Sequence, residues 1–241
     1  MDYTNEQIQK SNNKHLPTRL VTVEDYDQNP PKKSTNEKIP NSNLQTSNKL
    51  YILTYNVRTL SSYGRLLELT ESIKNINYDI IGLSETRRLG TKIEEYENCI
   101  LCHTGLIQGQ YGVGFLINLY LKKNIESFIG ISDRVTLLNL NIQGNKMSFI
   151  QVYAPTEAAR EEEIEIFYAK YKAMDLAHNT YIIMSDFNAK IGQPRADEYL
   201  IMKSNGYGER NPRGQRLIDF AIENKIAVLN TYFRRKPNHR W

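Results

Sequence analysis

The sequence has few of the features that mark secreted and membrane proteins. It contains two cysteines in 241 residues, too few for a disulfide framework, which indicates a reducing compartment inside the cell. No apolar run approaches the roughly 20 residues that a membrane-spanning helix needs. The first residues also lack the basic segment and apolar core of a secretory signal. We therefore expect an intracellular protein with no membrane partner.

The charge balance excludes little else. A net charge of +4 is mildly basic, so it permits nucleic-acid binding without requiring it. With 40% hydrophobic and 24% charged residues, the composition is that of an ordinary globular protein.

The two cysteines stand as Cys99-Ile-Leu-Cys102, which is the spacing of some redox pairs. They lie within an apolar run, however, and this predicts a buried strand.

Residues 1–48 differ in character from the rest of the chain. They are rich in Asn, Lys, Ser, Thr, Gln and Pro, and apolar residues are sparse. So little apolar surface cannot offset the entropy lost on ordering the chain. We predict a disordered polar tail over residues 1–48 and a folded domain over residues 49–241.

Within the domain, apolar runs of strand length alternate with turn residues, and helical periodicity occurs near both ends. The predicted strands are Leu50–Val57, Asp79–Glu85, Cys99–His103, Gly112–Leu119, Ile125–Ile129, Val135–Ile142, Met147–Tyr153, Tyr181–Ser185 and Ile226–Asn230. The predicted helices are Gly64–Asn75, Glu161–Ala177 and Arg213–Asn224, and Thr86–Asn98 is predicted to be a charged connection. This order predicts an α/β domain with two packed sheets and helices on their outer faces.

Polar side chains end several of these strands. Asp186 and Asn188 follow the run Tyr181–Ser185, and Asn56, Glu85 and Tyr153 end other strands. If the strands are neighbours, these side chains meet at one rim, where carboxylate and amide oxygens suit Mg²⁺ or Mn²⁺ better than Zn²⁺. Each residue also has a plainer interpretation: the Asp, Asn and Glu as ordinary strand-end or turn residues, and the Tyr as a packed side chain.

Four short motifs in order carry a family resemblance. They are Leu53-Thr-Tyr-Asn-Val57, Ile80-Ile-Gly-Leu-Ser-Glu85, Gln151-Val-Tyr-Ala-Pro155 and Met184-Ser-Asp-Phe-Asn188. They resemble successive motifs of the endonuclease/exonuclease/phosphatase family. The similarity is greatest to the endonuclease domain of non-LTR retrotransposons, which occurs next to a reverse transcriptase, and to craniofacial development protein 2-like proteins. Thr54–Leu60, Tyr111–Phe115, Ile131–Arg134 and Arg213–Leu217 also match that subgroup.

The resemblance implies a four-layer α/β sandwich that cleaves phosphodiesters with a divalent metal, Mg²⁺ or Mn²⁺, and acts as an endonuclease on DNA. It implies that Glu85 is the main metal ligand, assisted by Asn56. Asp186 would orient or activate the attacking water, while Asn188 and Tyr153 would contact the substrate phosphate. A DNA substrate favours the nucleus over the cytoplasm, and protein partners stay unknown.

The sequence departs from the family pattern at its end. The family closes with a further strand, an Ile-Asp-Tyr-type motif and a Ser-Asp-His segment, and the sequence reaches Trp241 before any of them. We therefore expect the last strands of the sandwich to be missing and catalysis to be impaired or absent, because general acid-base help typically contributes about 10²–10⁴-fold. The alternatives are a non-catalytic, DNA-binding remnant of a retroelement, or a phosphoesterase acting on a lipid headgroup or a nucleotide.

Overall fold

The computed structural model describes residues 18–22, 49–172 and 180–234. The strands are β1 Thr18–Thr22, β2 Ile52–Asn56, β3 Ile80–Ser84, β4 Lys92–Glu95, β5 Cys99–Thr104, β6 Val113–Asn118, β7 Ile125–Ser132, β8 Val135–Ile142, β9 Asn145–Tyr153, β10 Thr180–Asp186 and β11 Ile226–Val228. The α-helices are α1 Tyr63–Ile73, α2 Glu161–Lys172 and α3 Pro212–Glu223. Short 3₁₀ helices lie at Leu119–Asn124, Ala196–Leu200 and Leu229–Tyr232.

The strands form two mixed sheets. The larger sheet has the order β11-β1-β10-β9-β8-β7, and the smaller has the order β2-β3-β6-β5-β4. In the larger sheet β11, β1, β10 and β9 run parallel, and β8 and β7 follow antiparallel. In the smaller sheet β2 and β3 are parallel, so their carboxyl ends lie at the same edge. This arrangement brings the ends of β2 and β3 together, and likewise those of β9 and β10.

Buried apolar side chains fill the spaces between four layers. Between the two sheets lie Ile80, Phe115, Leu138, Phe149 and Met184, among others. A second cluster joins the larger sheet to α2 and α3, and a third joins the smaller sheet to α1. The predicted four-layer α/β sandwich is therefore confirmed. The absence of the family's last strands stays a prediction.

Among the described residues, no helix combines the length and the apolar character needed to cross a membrane.

One polar side chain crosses the apolar space between the sheets. Gln151 on β9 donates to the Ser84 hydroxyl at the end of β3, at 2.9 Å, and all of its surface is buried. A Cβ at Gly82 would collide with the Gln151 amide, so the glycine leaves room for this bridge. The bridge fixes β9 against β3 one residue before Glu85 and two residues before Tyr153.

The structure differs from the sequence-based prediction in two places. Lys92–Glu95, within the predicted charged connection, forms the edge strand β4. Its side chains are mostly exposed, so the chain shows no apolar alternation there. Thr18–Thr22, within the predicted disordered tail, pairs as β1 with both β10 and β11. The rest of residues 1–48 lies outside the described residues, as do residues 173–179 at the predicted end of the second helix, so those boundaries stay predictions.

Candidate active site

Glu85 follows β3 and accepts hydrogen bonds on both carboxylate oxygens. The Asn56 side-chain amide, at the end of β2, donates to Oε1 at 2.8 Å, and the Tyr153 hydroxyl donates to the same oxygen at 3.0 Å. The Arg87 guanidinium donates to Oε2 at 3.0 Å. Two of the predicted site residues, Asn56 and Tyr153, come from strands in different sheets and thus meet on the carboxylate of a third, Glu85.

Asp186 lies beside this cluster because its strand pairs with that of Tyr153. The parallel register of β10 and β9 places Asp186 opposite Tyr153, and the Asp186 carbonyl accepts from the Ala154 amide at 3.1 Å. The Asn188 backbone amide donates to Asp186 Oδ1 at 3.1 Å, and the Asn188 side chain donates to the Ala154 carbonyl at 3.0 Å. The structure therefore brings the predicted residues to one rim and shows Asn188 bound to the protein backbone.

The backbone around the cluster is strained. Glu85 and Asn188 have positive φ angles of 57° and 48°, a region that non-glycine residues seldom occupy. Arg87, two residues after Glu85, has a φ angle of 54°. Two residues bonded to others of the site also have positive φ angles: Tyr111, whose carbonyl accepts from the Arg87 amide, at 47°, and Arg58, whose amide donates to Asn56, at 56°. Such strain costs about 1–3 kcal/mol per residue and collects at functional sites, where surrounding contacts hold it in place. Its concentration here is an observation independent of the motifs.

Burial and hydrogen bonds shift the pKa values of two groups in the cluster in opposite directions. Burial by itself would raise the pKa of Glu85, but the hydrogen bonds from Asn56, Arg87 and Tyr153 hold it below its usual value. The carboxylate is therefore ionised at neutral pH. Burial, and then the nearby Glu85 charge, raise the pKa of Tyr153 to about 12. Tyr153 is therefore a neutral hydrogen-bond donor across the physiological range.

Two arginines of the site were not predicted from the sequence. Arg87 pairs with Glu85, two residues away, and Arg134 lies over the rings of Tyr111 and Tyr153, at 4.0 and 5.2 Å from their centroids. Arg134 also donates to the Tyr153 carbonyl at 3.3 Å. The signal in the sequence is that Arg134 ends the motif Ile131–Arg134 and that Arg87 lies two residues after the motif Ile80–Glu85. Their contacts to the site depend on loops whose course the sequence did not indicate.

The segment that follows Asn188 is held by a buried ion pair. Arg210 donates to both oxygens of Glu198, at 2.5 and 2.6 Å, and each side chain is 6% exposed. Arg210 also donates to the Ile191 and Gln193 carbonyls at 2.6 and 3.0 Å. At the far end of the segment, Asn211 caps α3 by accepting from the Gly214 amide at 2.8 Å. Contacts of the Arg210 guanidinium thus hold together the long loop between β10 and α3.

The oxygen donors at the rim fit a hard divalent cation. In the described part of the chain, no group of three or more His, Cys, Asp and Glu side chains could hold a metal by itself. Mg²⁺ characteristically takes one or two carboxylates and completes its shell with water and substrate phosphate. Glu85 offers the carboxylate of such an incomplete set, and the Asn56 amide oxygen, which accepts from the Arg58 amide at 3.0 Å, lies next to it. Zn²⁺ would prefer nitrogen and sulfur ligands, which this set lacks.

Known proteins resemble the chain over most of its length. No family model matches the sequence. Craniofacial development protein 2 of Tragulus javanicus is 30% identical over 198 residues, which are 78% of this chain and 33% of that protein. The Bos taurus protein is also 30% identical, over 78% of this chain and 32% of its own length. The same subgroup was indicated by the motifs whose side chains now meet at one rim. The chain therefore resembles the endonuclease/exonuclease/phosphatase family, as its motifs predicted.

Solved structures resemble the chain more distantly. The endonuclease domain of TRAS1, a telomere-specific non-LTR retrotransposon, is 14% identical with a TM-score of 0.44, covering 73% of this chain and 70% of its own. The AP endonuclease LMAP from Leishmania major is 12% identical with a TM-score of 0.46, covering 72% and 66%. The chain spans about a third of the length of the curated relatives it matches.

Proposed function

We propose that this chain is a phosphodiesterase that uses Mg²⁺ or Mn²⁺ and nicks DNA. The observation that carries the proposal is the convergence of Asn56, Tyr153 and Arg87 on the ionised Glu85, with Asp186 opposite Tyr153 in the neighbouring strand. A phosphodiester needs charge neutralisation on its oxygens and an oriented nucleophile, and this rim offers groups for both.

The proposed roles follow from what each side chain can donate or accept. Glu85 and Asn56 would hold the cation, which when bound supplies a positive charge to the phosphate oxygens. Asp186 would accept a hydrogen bond from the attacking water and align it. Tyr153, which stays protonated because its pKa is about 12, would donate to the substrate phosphate. Asn188 would either contact the phosphate or, through its bond to the Ala154 carbonyl, hold the two strand ends in register.

DNA is the proposed substrate because the motifs match the retrotransposon subgroup and the net charge is +4. Turnover by this chain alone is proposed to be weak, since a histidine in a Ser-Asp-His context does not occur in its sequence. Among the described residues the single histidine is His103, which is buried in β5 beside Glu94. A nuclear location goes with the proposed substrate.

Nicking of supercoiled plasmid with and without Mg²⁺ tests the proposal. We expect slow, metal-dependent nicking that Glu85→Gln lowers at least about a hundredfold. Glu97→Gln, which changes an exposed carboxylate outside the cluster, is the matched control and should leave the rate unchanged.

Other results would favour the alternatives. Duplex binding without metal-dependent cutting would support a DNA-binding module in place of an enzyme. Preferential hydrolysis of a phospholipid headgroup or a nucleotide would show that DNA is not the preferred substrate. Fast nicking that depends on Glu85 would contradict the proposed weak turnover but would still support a metal-dependent DNA endonuclease.

A further inference from the structure

Three polar side chains meet between the two sheets, beneath the Glu85 cluster. Gln151 on β9 donates through Nε2 to the Ser84 hydroxyl on β3 at 2.9 Å, and the Thr54 hydroxyl on β2 donates to Gln151 Oε1 at 3.5 Å. The exposed fractions of Gln151, Ser84 and Thr54 are 0%, 1% and 8%. We call these three side chains the Gln151 bridge. The proposed catalytic roles make no use of it.

The strands that the bridge joins also deliver three residues of the Glu85 cluster. The neighbours along the chain are Thr54 and Asn56, Ser84 and Glu85, and Gln151 and Tyr153. Residues two apart on a strand point to the same face of the sheet, so Asn56 and Tyr153 lie directly above the bridge. Both of them donate to Glu85 Oε1, at 2.8 and 3.0 Å. A shift of the strands at the bridge therefore moves the donors of both hydrogen bonds.

The hydrogen bond from Tyr153 to Glu85 crosses from one sheet to the other. Tyr153 ends β9 of the larger sheet, whereas Glu85 follows β3 of the smaller sheet. The apolar contacts that fill the space between the sheets are not directional, so they do not by themselves fix how one sheet slides over the other. A slide of about 1 Å would lengthen the Tyr153–Glu85 contact beyond hydrogen-bond distance. This contact therefore needs a directional link between the sheets close to it.

The Gln151 amide provides such a link because its polar groups are engaged on both sides. Besides its bond to Ser84, Nε2 donates to the Val152 carbonyl at 3.2 Å, so the amide is tied to its own strand and to the opposite sheet. A buried amide that lost these partners would pay a desolvation cost, which makes the bonded position strongly preferred. A Cβ at Gly82 would lie 1.9 Å from Gln151 Oε1, so the opposite strand leaves room for the amide and for little else.

The orientation of the Glu85 carboxylate matters for a cation bound at the rim. Hydrogen bonds from groups that do not touch the metal hold a ligand in one orientation, and removing such a group typically weakens metal binding about 10–100-fold. Tyr153 and Asn56 both hold Glu85 Oε1 in this way in the metal-free protein. The bridge beneath them is buried, so it acts on the cation only through these neighbours.

We propose that Gln151 is a positioning residue: it fixes the two sheets so that the Tyr153 hydroxyl stays on the Glu85 carboxylate, and it thereby sets the affinity of the rim for a divalent cation. The inference rests on the proposed function for the cation, whereas its effect on the Tyr153–Glu85 contact needs no metal. Gln151 touches neither substrate nor cation, so its loss should disturb the geometry of the rim while every side chain of the Glu85 cluster is kept.

Two measurements on the full chain carrying Gln151→Met test the proposal. Methionine keeps the length and volume of the side chain and removes the amide. Fluorine NMR of 3-fluorotyrosine placed at Tyr153 reports the hydroxyl's hydrogen bond without metal, and its signal should move toward that of Glu85→Gln, in which the charged acceptor is gone. Electron paramagnetic resonance of free Mn²⁺ should show affinity weakened roughly tenfold.

Asn139→Leu is the matched control because it removes another buried amide that has hydroxyl partners. Asn139 is 4% exposed, donates to Ser127 at 2.9 Å and accepts from Ser148 at 2.7 Å, all within the larger sheet. This change should lower the melting temperature about as much as Gln151→Met and leave the fluorine signal and the Mn²⁺ affinity unchanged. Ser84→Ala removes the Gln151 bond from the opposite sheet and serves as a second, smaller change with the same expected direction in both measurements.

The outcomes separate failure of the positioning role from failure of the proposed function. An unchanged fluorine signal in Gln151→Met and Ser84→Ala would overturn the positioning role, even if both variants melt earlier. Equal changes in Asn139→Leu would overturn it in favour of a general loss of packing. A wild-type chain that binds no Mn²⁺ would contradict the metal-dependent function, and the fluorine signal would then still decide whether Gln151 holds Tyr153 on Glu85.

Discussion

Three side chains donate to Glu85, and among them Arg87 carries a positive charge. The effect of the Arg87–Glu85 ion pair on the Glu85 carboxylate can therefore be tested by removing that charge. Replacing Arg87 with Gln should move the pKa of Glu85 upward, because the hydrogen bond and the charge that lower it are both weakened. Carboxyl ¹³C titration of the metal-free protein measures this shift directly. Arg58→Gln is the control from the same rim, and an equal shift there would show that the Arg87 contact is not specific.

His103 gives a residue-scale prediction on stability. Burial lowers the pKa of His103, and the charge of Glu94, 3.7 Å away, does not overcome that effect. The unfolded chain therefore binds a proton more readily below about pH 6.5, and stability should fall by up to about 1.4 kcal/mol per pH unit as the pH drops below that value. Urea unfolding at pH 7.5, 6.5 and 5.5 should show a shallower pH dependence for His103→Phe. Parallel curves for the two proteins would contradict the assignment.

At the scale of elements, the loop after β10 depends on one ion pair. Arg210→Met should destabilise the fold by about 3–5 kcal/mol, because it leaves the buried Glu198 carboxylate without its charged partner. Arg65→Met removes an exposed pair with Glu68 and should cost less than about 1 kcal/mol. Urea unfolding compares the two variants. Hydrogen exchange of the Arg195 amide, which donates to the Glu198 carboxylate at 2.8 Å, should quicken in the first variant alone. Equal losses would show that burial of the pair has no special effect.

At the scale of the whole molecule, β1 connects two elements that are distant in sequence. It pairs in parallel with β10, which ends on Asp186, and with β11. A chain that begins at residue 49 should melt at least about 5 °C lower than one that begins at residue 16, because only the second retains the strand. Calorimetry of the two gives the difference. Identical melting temperatures would mean that the sheet holds without β1.

The sequence predicted the architecture well because its signals are local. Apolar runs such as Tyr181–Met184 ending on polar residues mark buried strands wherever they occur, and the order of strands and helices leaves few ways to pack them. The four-layer sandwich followed from that order and from the family motifs. The edge strand β4 was missed because its side chains are mostly exposed, and β1 because five residues are too few to show a period.

The sequence by itself determined which side chains end the strands: Asn56, Glu85, Tyr153, Asp186 and Asn188. Tertiary structure alone decided what they touch, because those contacts depend on register between segments far apart in the chain. Tyr153 meets Glu85 across 68 positions, and the Gly90 and Gly105 amides each donate to the other's carbonyl. Alternation within a strand is fixed by covalent geometry, whereas the meeting of distant loops is fixed by packing, and no local pattern encodes it.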